Sequence, residues 1–257
     1  MRTIAGTAHN LRARARLAAS ALFMPWPTLC LMAREQFAAD GEVITEVRGN
    51  VNPFGLVDAI ARNQRGATHQ TVDLAFARRH NYIPRDVDVQ QQWNSEPEVA
   101  EFVATLAFAS RAHRVIELGS FIGFSSCHIA SALQQLGGER LLYCVDTNER
   151  HLDILKANVD ALGVSPQVRC IRGATLEASV VEQLPQAEVI YVDSSHDYAT
   201  TAQELEVYQR KIARPGYLVL HDAIMWPGVR RAVREHSGRT LTFATSHGAG
   251  IAVVFVE

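Results

Sequence analysis

From residue 95 to the end of the chain, short apolar runs alternate with segments whose apolar residues recur at helical spacing. The runs are Arg114 to Leu118, Leu141 to Val145, Val168 to Ile171, Ala187 to Val192, Tyr217 to Leu220, Leu241 to Thr245 and Ile251 to Val256. Each predicts a strand. Val99, Phe102, Val103, Leu106 and Ala107 mark one helix, Phe124 to Leu136 a second, and Leu152, Leu155, Val159 and Leu162 a third that Gly163 closes. Thr200 to Ala213 and Val229 to His236 read as two more. Strands apolar along their whole length, alternating with helices, predict an α/β protein whose parallel sheet is covered on both faces. The last two runs are joined by Ser246-His247-Gly248-Ala249-Gly250, short enough for a hairpin.

The first of these helices has a start signal in Ser95-Glu96-Pro97-Glu98, with Ser95 as N-cap and Glu98 completing a capping box. The chain therefore divides into an N-terminal extension, residues 1–94, and a main domain, residues 95–257. In the extension, Glu42 to Val47 reads as a short strand, and Leu56 to Arg62 and Val72 to Arg79 as short helices. These suit a helical cap, a substrate lid or an oligomer contact, so a homo-oligomer stays open. Leu17 to Ala33 is uncharged and follows Arg12, Arg14 and Arg16, as in a secretory leader. Pro25 and Pro27 interrupt it, and it falls short of the roughly 20 apolar residues a membrane-spanning helix needs. The expectation is a cytoplasmic protein with no stable membrane insertion.

Composition changes little in this picture. The net charge of −2 over 257 residues offers no basic field for nucleic acid. The four cysteines fall in apolar segments without metal-knuckle or redox spacing, as buried thiols in a reducing compartment do.

The chemistry-bearing residues gather at one end of the expected sheet. Glu117, Gly119, Asp146, Gly173, Asp193 and Asp222 all sit at or just past strand ends, where such sheets bind ligands. Glu117-Leu118-Gly119-Ser120-Phe121-Ile122-Gly123 is a glycine-bearing turn that lets backbone approach a ligand beside a helix N-terminus. Asp146 is placed to accept both hydroxyls of a ribose. Together these point to an adenosine-containing cofactor, a nicotinamide dinucleotide or S-adenosylmethionine. Asp193 and Asp222 end strands that lie side by side, about 4.8 Å apart. Two converging carboxylates either share a cation, for which magnesium is suited, or act through hydrogen bonds. Imidazole is a poor magnesium ligand, so His221 orients a neighbour or favours a softer metal. His196, three residues past Asp193, has the side chain best placed in pKa to take a hydroxyl proton. Trp226 could wall a substrate pocket or belong to the core.

Val115 to Ser126 resembles the first motif of class I S-adenosylmethionine-dependent methyltransferases, in the E-x-G-[ST]-x-x-G-x-S form of small-molecule O-methyltransferases. Val192-Asp193-Ser194-Ser195-His196-Asp197-Tyr198 and Pro215-Gly216-Tyr217-Leu218-Val219-Leu220-His221-Asp222 are similar to a bacterial group related to cephalosporin-hydroxylase-type and macrolide-sugar O-methyltransferases. The resemblance runs from about Ser95 to Glu257. It implies a Rossmann-like, doubly wound seven-stranded sheet whose last strand inserts antiparallel, with a mainly helical N-terminal extension added. It also implies S-adenosyl-L-methionine held by Glu117, Gly119, Ser120, Gly123, Ser125, Asp146, Thr147, Ala174 and Asp193. Metal-dependent members hold magnesium with an Asp after the fourth strand and an acidic pair after the fifth. The matching positions here are Asp193, His221 and Asp222, so a histidine replaces one carboxylate.

The expected activity is methyl transfer to a hydroxyl of a small molecule, a sugar or a phenol. His196 would be the base, with Asp193 and Asp222 positioning the acceptor through Mg²⁺. Two other readings stand beside it. A nicotinamide oxidoreductase is disfavoured because Phe121 replaces the fingerprint's middle glycine and Tyr208 stands three residues from Lys211, not four. A catalytically silent adenosyl-binding subunit is the third.

Overall fold

The computed structural model describes residues 36–37, 43–44, 72–82, 93–243, 245 and 248–257. The expected segments Leu17 to Ala33 and Leu56 to Arg62 lie outside them. Two short strands, β1 (Gln36–Phe37) and β2 (Val43–Ile44), pair antiparallel, and β2 falls within the strand expected over Glu42 to Val47. The main sheet contains β3 (Arg114–Leu118), β4 (Leu141–Asp146), β5 (Val168–Arg172), β6 (Ala187–Val192), β7 (Ile212–His221), β8 (Arg239–Phe243) and β9 (Ile251–Val256). Its order is β5-β4-β3-β6-β7-β9-β8. The first five strands run parallel, and β9 lies antiparallel between β7 and β8. This is the seven-stranded arrangement with an inserted terminal strand that the resemblance implies.

Successive residues of a strand point to opposite faces, and both faces here are buried. Val115, Val189, Tyr191, Val219 and Val253 pack on one side. Ile116, Ile190, Val192, Leu218, Leu220 and Val254 pack on the other. Full burial of each such side chain contributes about 1.5–3 kcal/mol, so neither face tolerates a one-residue slip in register. The helices are α1 (Ala75–Arg79), α2 (Pro97–Ala109), α3 (Phe124–Leu136), α4 (Glu149–Ala161), α5 (Ala178–Gln183), α6 (Tyr198–Gln209) and α7 (Pro227–Glu235). Helices α2, α3 and α4 cover the first face, and α5, α6 and α7 the second. Residues just before α1 and after it also enter the first cluster. Leu74 and Tyr82 are buried in it, and Asn158 of α4 donates to the Tyr82 carbonyl at 3.0 Å. Among the described residues no helix is long and apolar enough to cross a membrane.

Three local expectations shift. Helix α6 ends at Gln209 and β7 begins at Ile212, so Arg214-Pro215-Gly216 lies inside a strand. Pairing of β6 with β7 changes register between Ala187 and Val189, and the proline stands in this irregularity, where it is tolerated. At Gly216 a Cβ would come within 2.5 Å of the Ala213 carbonyl oxygen. Helix α5, six residues long, is too short to show a period. Ser95 caps nothing: the N-cap of α2 is Glu96, which makes no side-chain capping bond, and the Ser95 hydroxyl points into the cleft described next.

Candidate active site

The carboxyl ends of β3, β4, β6 and β7 open into one cleft of about 860 Å³. Its floor is the turn after β3. Gly119 has φ +86°, a conformation only glycine adopts without strain. A Cβ there would stand 2.2 Å from the Asp193 carbonyl oxygen, so the glycine is required by space as well. The turn is tied down by backbone bonds from Gly119 N to Val145 O and from Asp193 N to Leu118 O, both 2.8 Å. On its other side the loop carrying Asp193 and His196 meets α7. At Gly228 a Cβ would lie 2.3 Å from the His196 carbonyl oxygen. The loop between β6 and α6 is thus gripped by Gly119 from below and Gly228 from the side.

Asp146 ends β4 at the cleft wall. Its Oδ2 accepts the Phe121 N–H at 2.9 Å, and its Oδ1 accepts the Asn148 N–H at 2.8 Å. The carboxylate therefore shapes the glycine turn while keeping lone pairs for a ligand. Gly119, Ser120, Ser125, Asp146, Thr147 and Asp193 all line the cleft.

Glu117, Gly123 and Ala174 are not among the lining residues. Glu117 faces α3 instead, where the hydroxyls of Ser125 and Ser126 donate to its two oxygens. Burial drives its pKa up to about 7, against the lowering effect of those hydroxyls. Gly123 is turned toward α4, where a Cβ would meet Leu155 at 2.8 Å. Ala174 is exposed outside the cleft.

A cluster of titratable side chains lies where β6 and β7 end. His196 Nε2 is 2.6 Å from Asp222 Oδ2, and its ring stacks on Trp226 at 4.7 Å. The bond to Asp222 raises the His196 pKa above the ordinary value, outweighing desolvation. Trp226 is a wall of the cleft, 44 % exposed. Asp222 holds a left-handed backbone at φ +59°, a strained conformation for an aspartate and typical of functional positions.

His221 is buried between carboxylates. Its Nε2 lies 2.6 Å from Glu96 Oε2 and its Nδ1 3.1 Å from Asp193 Oδ1. Burial alone would lower its pKa, but Asp193 and Glu96 lift it well above the usual value. Burial would likewise raise both acids, and the His221 charge with its hydrogen bonds holds Glu96 and Asp193 below theirs. Asp193 Oδ2 accepts from Ser95 Oγ at 2.9 Å and from Tyr191 OH at 3.1 Å. Glu96 Oε1 accepts from Thr245 Oγ1 at 2.6 Å. Ser95, Glu96, Tyr191 and Thr245 carry no local sequence signal for this site. Glu96 and His221 stand 125 residues apart, and only the folded sheet brings them together.

Among the described residues, Asp193, His196 and Asp222 each offer one ligand atom within 4.8 Å of the others; His221 does not join them. This set does not fit magnesium. It contains an imidazole, whereas magnesium takes oxygen ligands and retained waters. Both Asp193 oxygens and Asp222 Oδ2 already face donors, from Ser95, Tyr191, His221 and His196. The expectation of His221 as a metal ligand is corrected for the same reason: both of its nitrogens already face carboxylates.

Residues 116–223 match a family described as a methyltransferase domain. A catechol O-methyltransferase of Niastella koreensis is 25% identical over 137 residues, which cover 51% of this chain and 58% of that protein. The chain thus spans just over half the length of the curated relatives it matches. Among solved structures, an O-methyltransferase from Bacillus cereus in complex with SAH superposes with a TM-score of 0.55 at 17% identity. The match covers 64% of this chain and 83% of that one. TomG from Streptomyces achromogenes, an O-methyltransferase of tomaymycin synthesis solved with SAM, gives 0.55 at 17% identity, covering 65% and 82%.

Proposed function

From the premise that this chain carries a class I S-adenosylmethionine-dependent methyltransferase domain, we propose that it methylates a hydroxyl group of a small molecule. The observation that carries the reading is the His196–Asp222 pair opening into the same cleft as the glycine turn.

The cleft fits S-adenosylmethionine. Its volume of about 860 Å³ lies in the range of small-molecule sites. Asp146 retains acceptor capacity for a ribose diol, and Gly119 and Ser120 present backbone beside the start of α3. Ser125 and Thr147 complete that wall. When bound, the sulfonium supplies an activated methyl group. The protein's task is to align the acceptor and remove its proton.

His196 is the base. Its Nε2–H is held by Asp222, which leaves Nδ1 to take the acceptor proton. Asp222 stabilises the imidazolium so formed, and Trp226, stacked on the ring, limits its rotation. Asp193, fixed by Ser95, Tyr191 and His221, places a negative charge at the reacting end of the cleft. Trp226 and Met225 line the side beyond His196, where the acceptor enters.

Incubation of the purified chain with S-adenosylmethionine and a panel of phenols, catechols and glycosides tests this reading. Mass spectrometry should show an acceptor gaining one methyl group, in a reaction that His196→Ala abolishes. Stabilisation by NAD, with none by S-adenosylhomocysteine, would overturn it.

A further inference from the structure

Three carboxyl groups meet at the reacting end of the cleft: Glu96, Asp193 and Asp222. The fold places a histidine in their midst. His221 Nε2 is 2.6 Å from Glu96, and its Nδ1 is 3.1 Å from Asp193 and 3.7 Å from Asp222. A ring with a carboxylate oxygen at each nitrogen has to donate at both, because a lone pair facing a carboxylate at these distances is repulsive. Both nitrogens are thus engaged by carboxylates, and neither is available to a metal. The 9% exposure of His221 keeps a charge on the ring out of water, where it acts strongly on its neighbours.

We propose that His221 is the resident cation of this centre, held by Glu96, and that the chain needs no divalent metal. The proposal rests on geometry at three points. Asp193 already accepts on both oxygens, from His221 on Oδ1 and from Ser95 and Tyr191 on Oδ2, so an ion would compete with these donors. Asp222 Oδ2 is taken by His196. Glu96 gains a further anchor in Thr245, whose hydroxyl in turn accepts the Gly250 N–H at 2.9 Å. A divalent ion entering between Asp193 and Asp222 would have to compete with these bonds for the Asp193 oxygens and Asp222 Oδ2, beside the proposed cation. Glu96 is the positioning residue in this arrangement. It comes from residues ahead of the matched stretch 116–223, so that stretch does not contain the whole centre.

Only the turnover arm of the test rests on the methyltransferase reading. The full-length chain is stripped with EDTA and titrated calorimetrically with MgCl₂, MnCl₂ and ZnCl₂. In parallel, S-adenosylhomocysteine binding is followed by thermal shift, and turnover of the methylated acceptor is measured in EDTA. The expected result is no saturable millimolar-or-tighter binding of any of the three ions that Asp193→Asn removes. Nucleoside affinity and turnover should stay within twofold of their values in added metal. Saturable binding that Asp193→Asn abolishes, or EDTA-lost turnover that an ion restores, overturns the proposal.

His221→Asp supplies the converse. It removes the internal cation and adds a third carboxylate, and it should acquire manganese or magnesium binding at least tenfold tighter than the parent chain. A folded His221→Asp chain that binds these ions no better also counts against the proposal. If the variant fails to fold, Glu96→Gln and the parent titrations decide. Absence of nucleoside binding would refute the methyltransferase reading and leave the metal titration valid as it stands.

Discussion

Glu117→Gln should stabilise the protein at alkaline pH. The carboxyl group is fully buried on the α3 side of the sheet, with Ser125 and Ser126 donating to it and Cys144 Sγ 3.6 Å away. Burial sets its pKa at about 7 in the fold, against a value of 4.5 in the absence of perturbation. The group binds its proton more tightly folded than unfolded. Its contribution to stability is therefore present below pH 4.5 and lost progressively as the pH rises through 7. Applying the linkage relation to those two values gives a cost of about 0.8 kcal/mol at pH 5 and about 3 kcal/mol at pH 8. Glutamine has nearly the same shape, accepts a hydroxyl at its carbonyl, and carries no charge to bury. Urea unfolding of both proteins at pH 5 and pH 8 measures the difference. The variant's advantage should grow by about 2–3 kcal/mol between the two pH values. Parallel pH profiles for the two proteins would refute the argument, since they would show that Glu117 ionises as easily folded as unfolded.

The pH dependence of turnover should follow His196, whose raised pKa keeps it protonated, and unable to accept a proton, until above pH 6.5. The rate should climb to a plateau as pH rises, and Asp222→Asn should move the midpoint down; an unmoved midpoint would free the dyad from this role. Gly119→Ala puts a Cβ 2.2 Å from the Asp193 carbonyl oxygen in a left-handed backbone. It should cost about 3 kcal/mol or more and erase the thermal shift produced by S-adenosylhomocysteine. Tyr191→Phe takes one hydroxyl from Asp193 and should lower stability by about 1 kcal/mol, read as a displaced urea midpoint.

The sheet was legible because its signals are short-range and repeated. Seven apolar runs, each bounded by polar or glycine-bearing turns, map onto seven strands, and the alternation along them is the burial seen on both faces. Gly119, Asp146, Asp193 and Asp222 were legible for a topological reason, since strand ends in such a sheet share one edge. Glu117 was misplaced because a strand-end position fixes the residue but not the face to which its side chain points. Ser95 satisfied every local rule for a cap, and its hydroxyl instead serves Asp193. Glu96, Tyr191 and Thr245 were invisible because their partners lie across the fold, and nothing nearby distinguishes them from an ordinary acid, a core aromatic and a loop hydroxyl.

The double grip on the β6–α6 loop couples the two halves of the cleft. Gly119 belongs to the turn that would carry the nucleoside, and Gly228 opens the helix behind the acceptor wall; the backbone of Asp193 to His196 is pinched between them. In the proposed reaction the donor side and the acceptor side would therefore share one loop, and a bulkier residue at either glycine would disturb both.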